Sequence, residues 1–99
     1  MADPPVMIVG VSRSLLQPAD QWDWPLHGLR HPPAGKTSGW YCWTGNLLAT
    51  EDFFVPLHQR HLIARWPAVE RYLLSDQGTR FLLTPDYSDV WVDDSLLDV

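Results

Sequence analysis

Lysine, cysteine and long apolar runs are all scarce in this chain. Lys36 is the one lysine, and together with six arginines it stands against twelve carboxylates, for a net charge of −5. No three basic residues are adjacent, so the clustered cations that hold a phosphate backbone are missing and nucleic acid is not an expected partner. The same shortage speaks against an anionic membrane surface. Uninterrupted apolar stretches run to only a few residues, far short of the roughly 20 that a spanning helix needs. The opening Met1-Ala2-Asp3-Pro4-Pro5 has no apolar core of a secretion signal, so a cytoplasmic location is expected. Cys42 is the one cysteine, which excludes an intramolecular disulfide and suits a reducing compartment. No glycine-rich phosphate loop and no internal repeat occurs, and no cofactor is expected.

Against these absences stand 99 residues, of which 45% are hydrophobic, with nine prolines and six tryptophans. The length predicts a single domain over 1–99, and the prolines predict short, interrupted elements around one core. Large indole rings bury much apolar area, so a few tryptophans can supply much of a small core, and the others are candidate contact residues. Charge is unevenly spread. Residues 1–53 carry three basic and five acidic groups, 54–85 carry four and two, and 86–99 carry none and five. The acidic end interleaves Asp86, Asp89, Asp93, Asp94 and Asp98 with Val90, Trp91, Val92, Leu96 and Leu97, unlike a disordered acidic tail.

The β-branched run Val6 to Val11 predicts a buried strand. From 17 to 38, four prolines and two glycines without a sustained period predict a long irregular connection carrying Trp22 and Trp24. Gly39 to Gly45 predicts a central strand with Trp40, Cys42 and Thr44 on one face and Tyr41 and Trp43 on the other. A turn follows at Thr50-Glu51-Asp52. The spacing of Leu57, His61, Leu62 and Arg65 predicts a helix from Val55 to Arg65, and Pro67 suits the first turn of a second helix through Leu74. Arg80 to Thr84 and Asp89 to Asp93 predict a hairpin around Pro85-Asp86-Tyr87-Ser88. The expected fold is α+β: a small antiparallel sheet of about four strands, near 6–11, 39–45, 80–84 and 89–93, with two short helices from 56–74 on one face.

Several constellations could carry chemistry. His58 and His61, three apart, could give two metal ligands, or one core and one exposed imidazole; a third ligand would have to come from His27, His31 or a remote carboxylate. Cys42 in the middle of an apolar strand reads as a small buried hydrophobe, with no nucleophile motif around it. Asp86, Asp89, Asp93 and Asp94 match no standard calcium loop. They either keep a sheet edge from unwanted pairing or, with Trp91 among them, form a docking surface for a basic protein. Arg30-His31 before Pro32-Pro33 is a rigid turn whose side chains either pin the long loop or contact a partner. The candidate partner-binding residues are therefore Asp86, Asp89, Trp91, Asp93, Asp94, Arg30 and His31, with no catalytic set and no metal site beyond the weak pair His58 and His61. Protein binding, not catalysis, is the expected activity; the alternatives are a metal-binding protein or metal-dependent enzyme using His58 and His61, and a regulatory or scaffold domain.

The ordered blocks Leu29-Arg30-His31-Pro32-Pro33, Ser38-Gly39-Trp40-Tyr41, Asp52-Phe53-Phe54-Val55-Pro56-Leu57-His58 with His61-Leu62, Arg80-Phe81-Leu82, and Asp89-Val90-Trp91 with Asp93 and Ser95-Leu96-Leu97 resemble a family of small bacterial proteins, immunity-protein family thirty-three. Val11-Ser12-Arg13 is also similar to that family's first strand. Ser75-Asp76-Gln77-Gly78 and Trp22-Asp23-Trp24 depart from its pattern. The resemblance implies an immunity protein of a polymorphic toxin system, made in the cytosol to bind and silence a cognate toxin. It does not name the toxin.

Overall fold

The computed structural model describes residues 7–47 and 52–97, so Val6, Thr50, Glu51 and Asp98 of the expected features lie outside the described residues. Six strands form one sheet: β1 (Ile8–Ser12), β2 (Leu26–Arg30), β3 (Thr37–Thr44), β4 (Phe54–His58), β5 (Thr79–Thr84) and β6 (Tyr87–Val92). Two short helices, α1 (Gln59–Arg65) and α2 (Glu70–Leu73), lie between β4 and β5, and four 3-10 turns complete the described elements. The strand order is β4-β1-β3-β2-β5-β6. Neighbours run antiparallel except β1 and β3, which are parallel. The α+β class is as expected, but the sheet is mixed and has six strands where about four antiparallel ones were predicted.

Strand alternation builds the core. In β3, Trp40, Cys42 and Thr44 face inward and are buried. Val9 and Val11 of β1, Leu26 of β2, and Phe81 and Leu83 of β5 point the same way. Leu15, Trp22, Leu62, Val69 and Leu73, from the 3-10 turns, the helices and the loops, close over them. Burying a side chain such as Phe81 contributes about 2–3 kcal/mol, so this layer dominates the stability. The buried indole nitrogens are satisfied: Trp40 Nε1 donates to Leu73 O at 3.0 Å and Trp22 Nε1 to Gln17 O at 2.8 Å. Trp22, Trp24 and Trp66 pack ring against ring, with neighbouring centroids 4.9–6.4 Å apart. The Trp22-Asp23-Trp24 segment thus brings Trp22 into the core and sets Trp24 against it.

Two expectations are corrected. The stretch 17–38 is not one irregular connection, because β2 and the start of β3 lie within it. Gly28, in mid-strand, is paired with Phe81, and a Cβ there would stand 2.2 Å from Phe81 Cζ. The glycine makes room for a ring from a distant strand, and it does not mark a turn. The helix expected from Val55 begins only at Gln59, because Phe54–His58 pairs with β1 along its whole length. Pro67 does open a 3-10 turn that leads into α2.

Candidate partner-binding face

The elements that complete the core cover one face of the sheet. The other face is formed by the alternate residues of each strand. His27 and Leu29 of β2 lie across from Trp43 and Tyr41 of β3. The same two residues face Leu82 and Arg80 of β5, and these in turn face Asp89 and Trp91 of β6. The face divides into an aromatic half over β4, β1, β3 and β2 and a charged half over β5 and β6.

In the aromatic half, the Cδ1–Cε1 edge of the Tyr41 ring comes up against Gly10, where a Cβ would stand 2.7 Å from Cδ1. Tyr41 meets Phe54 edge-on at 5.1 Å and His31 at 5.7 Å. Trp43 stacks on His27 at 5.1 Å with 13° between the planes. Burial lowers the pKa of His27, and the nearby Arg80 guanidinium lowers it further, so the ring is held neutral. A shallow depression of about 220 Å³ is lined by Leu29, His31, Tyr41, Trp43, Leu47 and Phe54. The alternation of Gly39–Gly45 had already put Tyr41 and Trp43 on one face. Their neighbours His27 and Phe54 were legible only once β2 and β4 were known to be strands.

The charged half is the β5–β6 hairpin, closed by a two-residue turn at Pro85-Asp86 between the paired Thr84 and Tyr87. All six residues of β6 are exposed, with Trp91 at 40% and Val92 at 72%. Asp89, Trp91 and Asp93 follow one another along the open face. Arg80 passes under them: its guanidinium lies 5.9 Å from the Trp91 ring centroid, and Nη1 is 3.1 Å from Asp93 Oδ2. Asp93 Oδ1 also accepts from Ser95 N at 3.1 Å and Ser95 Oγ at 2.6 Å. These bonds, Ser95 first and Arg80 next, hold its carboxyl below the usual range and start the 3-10 turn Asp94–Leu97. Asp86 stands at the hairpin tip, exposed like Asp89 and Asp94.

Arg30 and His31 are placed differently. Arg30 reaches the core side, 5.9 Å from the Trp40 ring centroid, and donates to Ser38 O at 2.9 Å and Ser75 O at 2.6 Å. It ties β2 to β3 and to the loop after α2, away from the β6 carboxylates. His31 Nδ1 donates to Leu96 O at 2.9 Å, which fixes the protonated nitrogen and draws the C-terminal 3-10 turn to the end of the open face.

Other candidate chemistry finds no support in the geometry. His58 and His61 stack at 5.3 Å, and among the described residues no group of three or more His, Cys, Asp or Glu could hold a metal. Cys42 is fully buried, and desolvation pushes its thiol up to about 12, so it is protonated and unreactive at neutral pH. No helix of the described residues is long and apolar enough to cross a membrane.

No curated protein and no solved structure matches the chain. The model of the Imm33-like domain, however, matches residues 3–93, nearly the whole length and all of the face just described up to Asp93. On that match the chain belongs to the Imm33-like family.

Proposed function

We propose that this chain is an immunity protein that neutralises a cognate toxin in the cytoplasm by direct protein–protein binding, without catalysis of its own. The observation that carries the reading is Trp91, 40% exposed and flanked on its face by Asp89 and Asp93, on a strand with no buried residue. An amphipathic ring ringed by carboxylates combines an apolar anchor with steering of a basic surface. Asp86 at the hairpin tip and Asp94 beyond Asp93 extend the negative field along the same edge.

Each candidate residue has a role in this reading. Asp86, Asp89, Trp91 and Asp94 meet the toxin, and Asp93, bonded to Arg80 and Ser95, fixes the strand end that presents them. His31 and Arg30 position the surface through Leu96 O, Ser38 O and Ser75 O. Neutralisation follows from occlusion: a basic active-site surface covered by this edge is closed to its substrate.

The test is a search for a toxin domain encoded beside this chain's gene, followed by measurement of its binding across a salt series. Trp91→Ala is expected to weaken it by roughly 30-fold, as for an interface hot spot. Changing Asp86, Asp89 and Asp94 together to Asn should flatten its salt dependence. Failure to bind that toxin domain, or affinity indifferent to both salt and these substitutions, removes the reading.

A further inference from the structure

The two edges of the sheet are not equivalent, and their hydrogen-bond registers show why. On the β4 side, Gln59 N donates to Met7 O at 2.9 Å, one step beyond the paired Ile8 and His58. In an antiparallel ladder, bonded and non-bonded pairs alternate. Leu57 and Val55 therefore bond inward to β1, while Phe54, Pro56 and His58 turn their backbone groups outward. The central outward position is Pro56, which has no N–H to give. On the β6 side, Asp93 N donates to Gly78 O at 2.7 Å, one step beyond the paired Thr79 and Val92. By the same alternation Trp91, Asp89 and Tyr87 bond inward to β5. Ser88, Val90 and Val92 then direct their N–H and C=O groups away from the sheet, with no proline, lysine or bulge among them.

Such an edge is a template for another strand. Its charge decides which strand. Two copies paired antiparallel about Val90, the register of greatest overlap, would bring the hairpin tip of each, with Asp86, toward the 3-10 turn of the other, with Asp94, between chains that each carry −5. An opposing strand with cations on the open face would instead meet Asp89 beside the Trp91 ring, Asp93 being held by Arg80 and Ser95, and its apolar residues on the other face would meet Val90 and Val92. The carboxylates thus reject self-pairing and select a basic occupant.

We propose that β6 binds its partner by strand addition: an extended segment alternating cationic and apolar residues pairs with the outward backbone groups of Ser88, Val90 and Val92 and becomes the seventh strand of the sheet. This deepens the partner-binding reading and rests on it for the identity of the partner, but not for the chemistry of the edge.

The probe is an end-blocked eight-residue peptide of alternating lysine and valine, added to the isotope-labelled full chain while amide exchange is followed by NMR. At saturation the amides of Ser88, Val90 and Val92 should exchange about tenfold or more slowly, and those of Asp89 and Trp91, already bonded to β5, should not change. The same peptide N-methylated at alternate residues on its pairing side should lose binding. So should the peptide against Val90→Pro, whose lost N–H points outward and whose fold is checked by near-UV dichroism of the tryptophans. Protection without the alternation, no protection at high peptide concentration, or equal binding of the methylated peptide overturns strand addition. The toxin experiment is read separately. A toxin domain that binds through the aspartates but leaves the three amides exchanging freely overturns strand addition and keeps the partner reading. An alternating footprint from the peptide with no binding of the toxin does the reverse.

Discussion

The β4 and β6 edges end the same sheet in opposite ways. At β4 the outward row of donors is interrupted by Pro56, and α1 follows immediately from His58. At β6 the row is continuous and the whole strand is exposed, so the protection is electrostatic instead of covalent. A proline closes an edge to every strand, whereas a line of aspartates closes it only to strands of the same sign. That difference separates a structural boundary from a selective one, and it is the physical reason for placing recognition at β6.

The sharpest way to break the comparison is to move proline between ladder positions. Trp91→Pro and Leu57→Pro each remove an inward donor and should cost about 3 kcal/mol or more in urea denaturation. Val90→Pro removes an outward one and should stay within about 1 kcal/mol of the parent. Equal losses at Val90 and Trp91 would show that the alternation drawn from Asp93 N and Gly78 O is out of step.

The second way is to remove the selective protection. Changing Asp86, Asp89 and Asp94 to Asn should let β6 pair with a second copy, strengthening self-association by about tenfold in sedimentation equilibrium. Pro56→Val at the other edge should do less, because α1 still crowds the end of β4. If the Asn variant stays as monodisperse as its parent, the carboxylates are not what guards the edge.

Part of this contrast was legible in the sequence. The inward and outward faces of β3, and the placing of Trp91 between Asp89 and Asp93, follow from alternation within a few residues, and the structure has both. Where a strand is explained by something distant, local pattern misleads. Gly28 between Pro25 and Pro32 looks like a breaker until Phe81 is seen lying on it. Pro56 looks like the start of a helix, because Leu57, His61 and Leu62 share helical spacing, yet it is the sealed position of an edge strand. Trp22 could be judged neither buried nor exposed without knowing that the core lies beneath it. For the candidate site, the residue types were legible and their bonds were not. Arg30 is bound to two carbonyls from distant segments, and Asp93 to an arginine thirteen residues earlier and a serine two residues later.

The smallest effect expected concerns how the open edge stops. Asp93 terminates β6 by turning its carboxylate to Ser95 and Arg80, as Gln59 N terminates the β4 ladder by donating to Met7 O. Its carboxyl pKa is lowered from 3.8, chiefly by Ser95 and secondly by Arg80. A depressed folded-state pKa means that Asp93 contributes stability at pH values above its unfolded value, and that this contribution is lost as pH falls through the folded value. Ser95→Ala removes the leading cause, so the carboxyl should titrate closer to 3.8 in a ¹³C NMR experiment and the acid-side loss of stability should shrink. Arg80 remains in place, so the return should be partial, and Lys at position 80 should preserve more of the depression than Gln does. A carboxyl that titrates unchanged in Ser95→Ala would mean that the ion pair with Arg80 and the backbone N–H of residue 95 suffice to end the strand, without the serine hydroxyl.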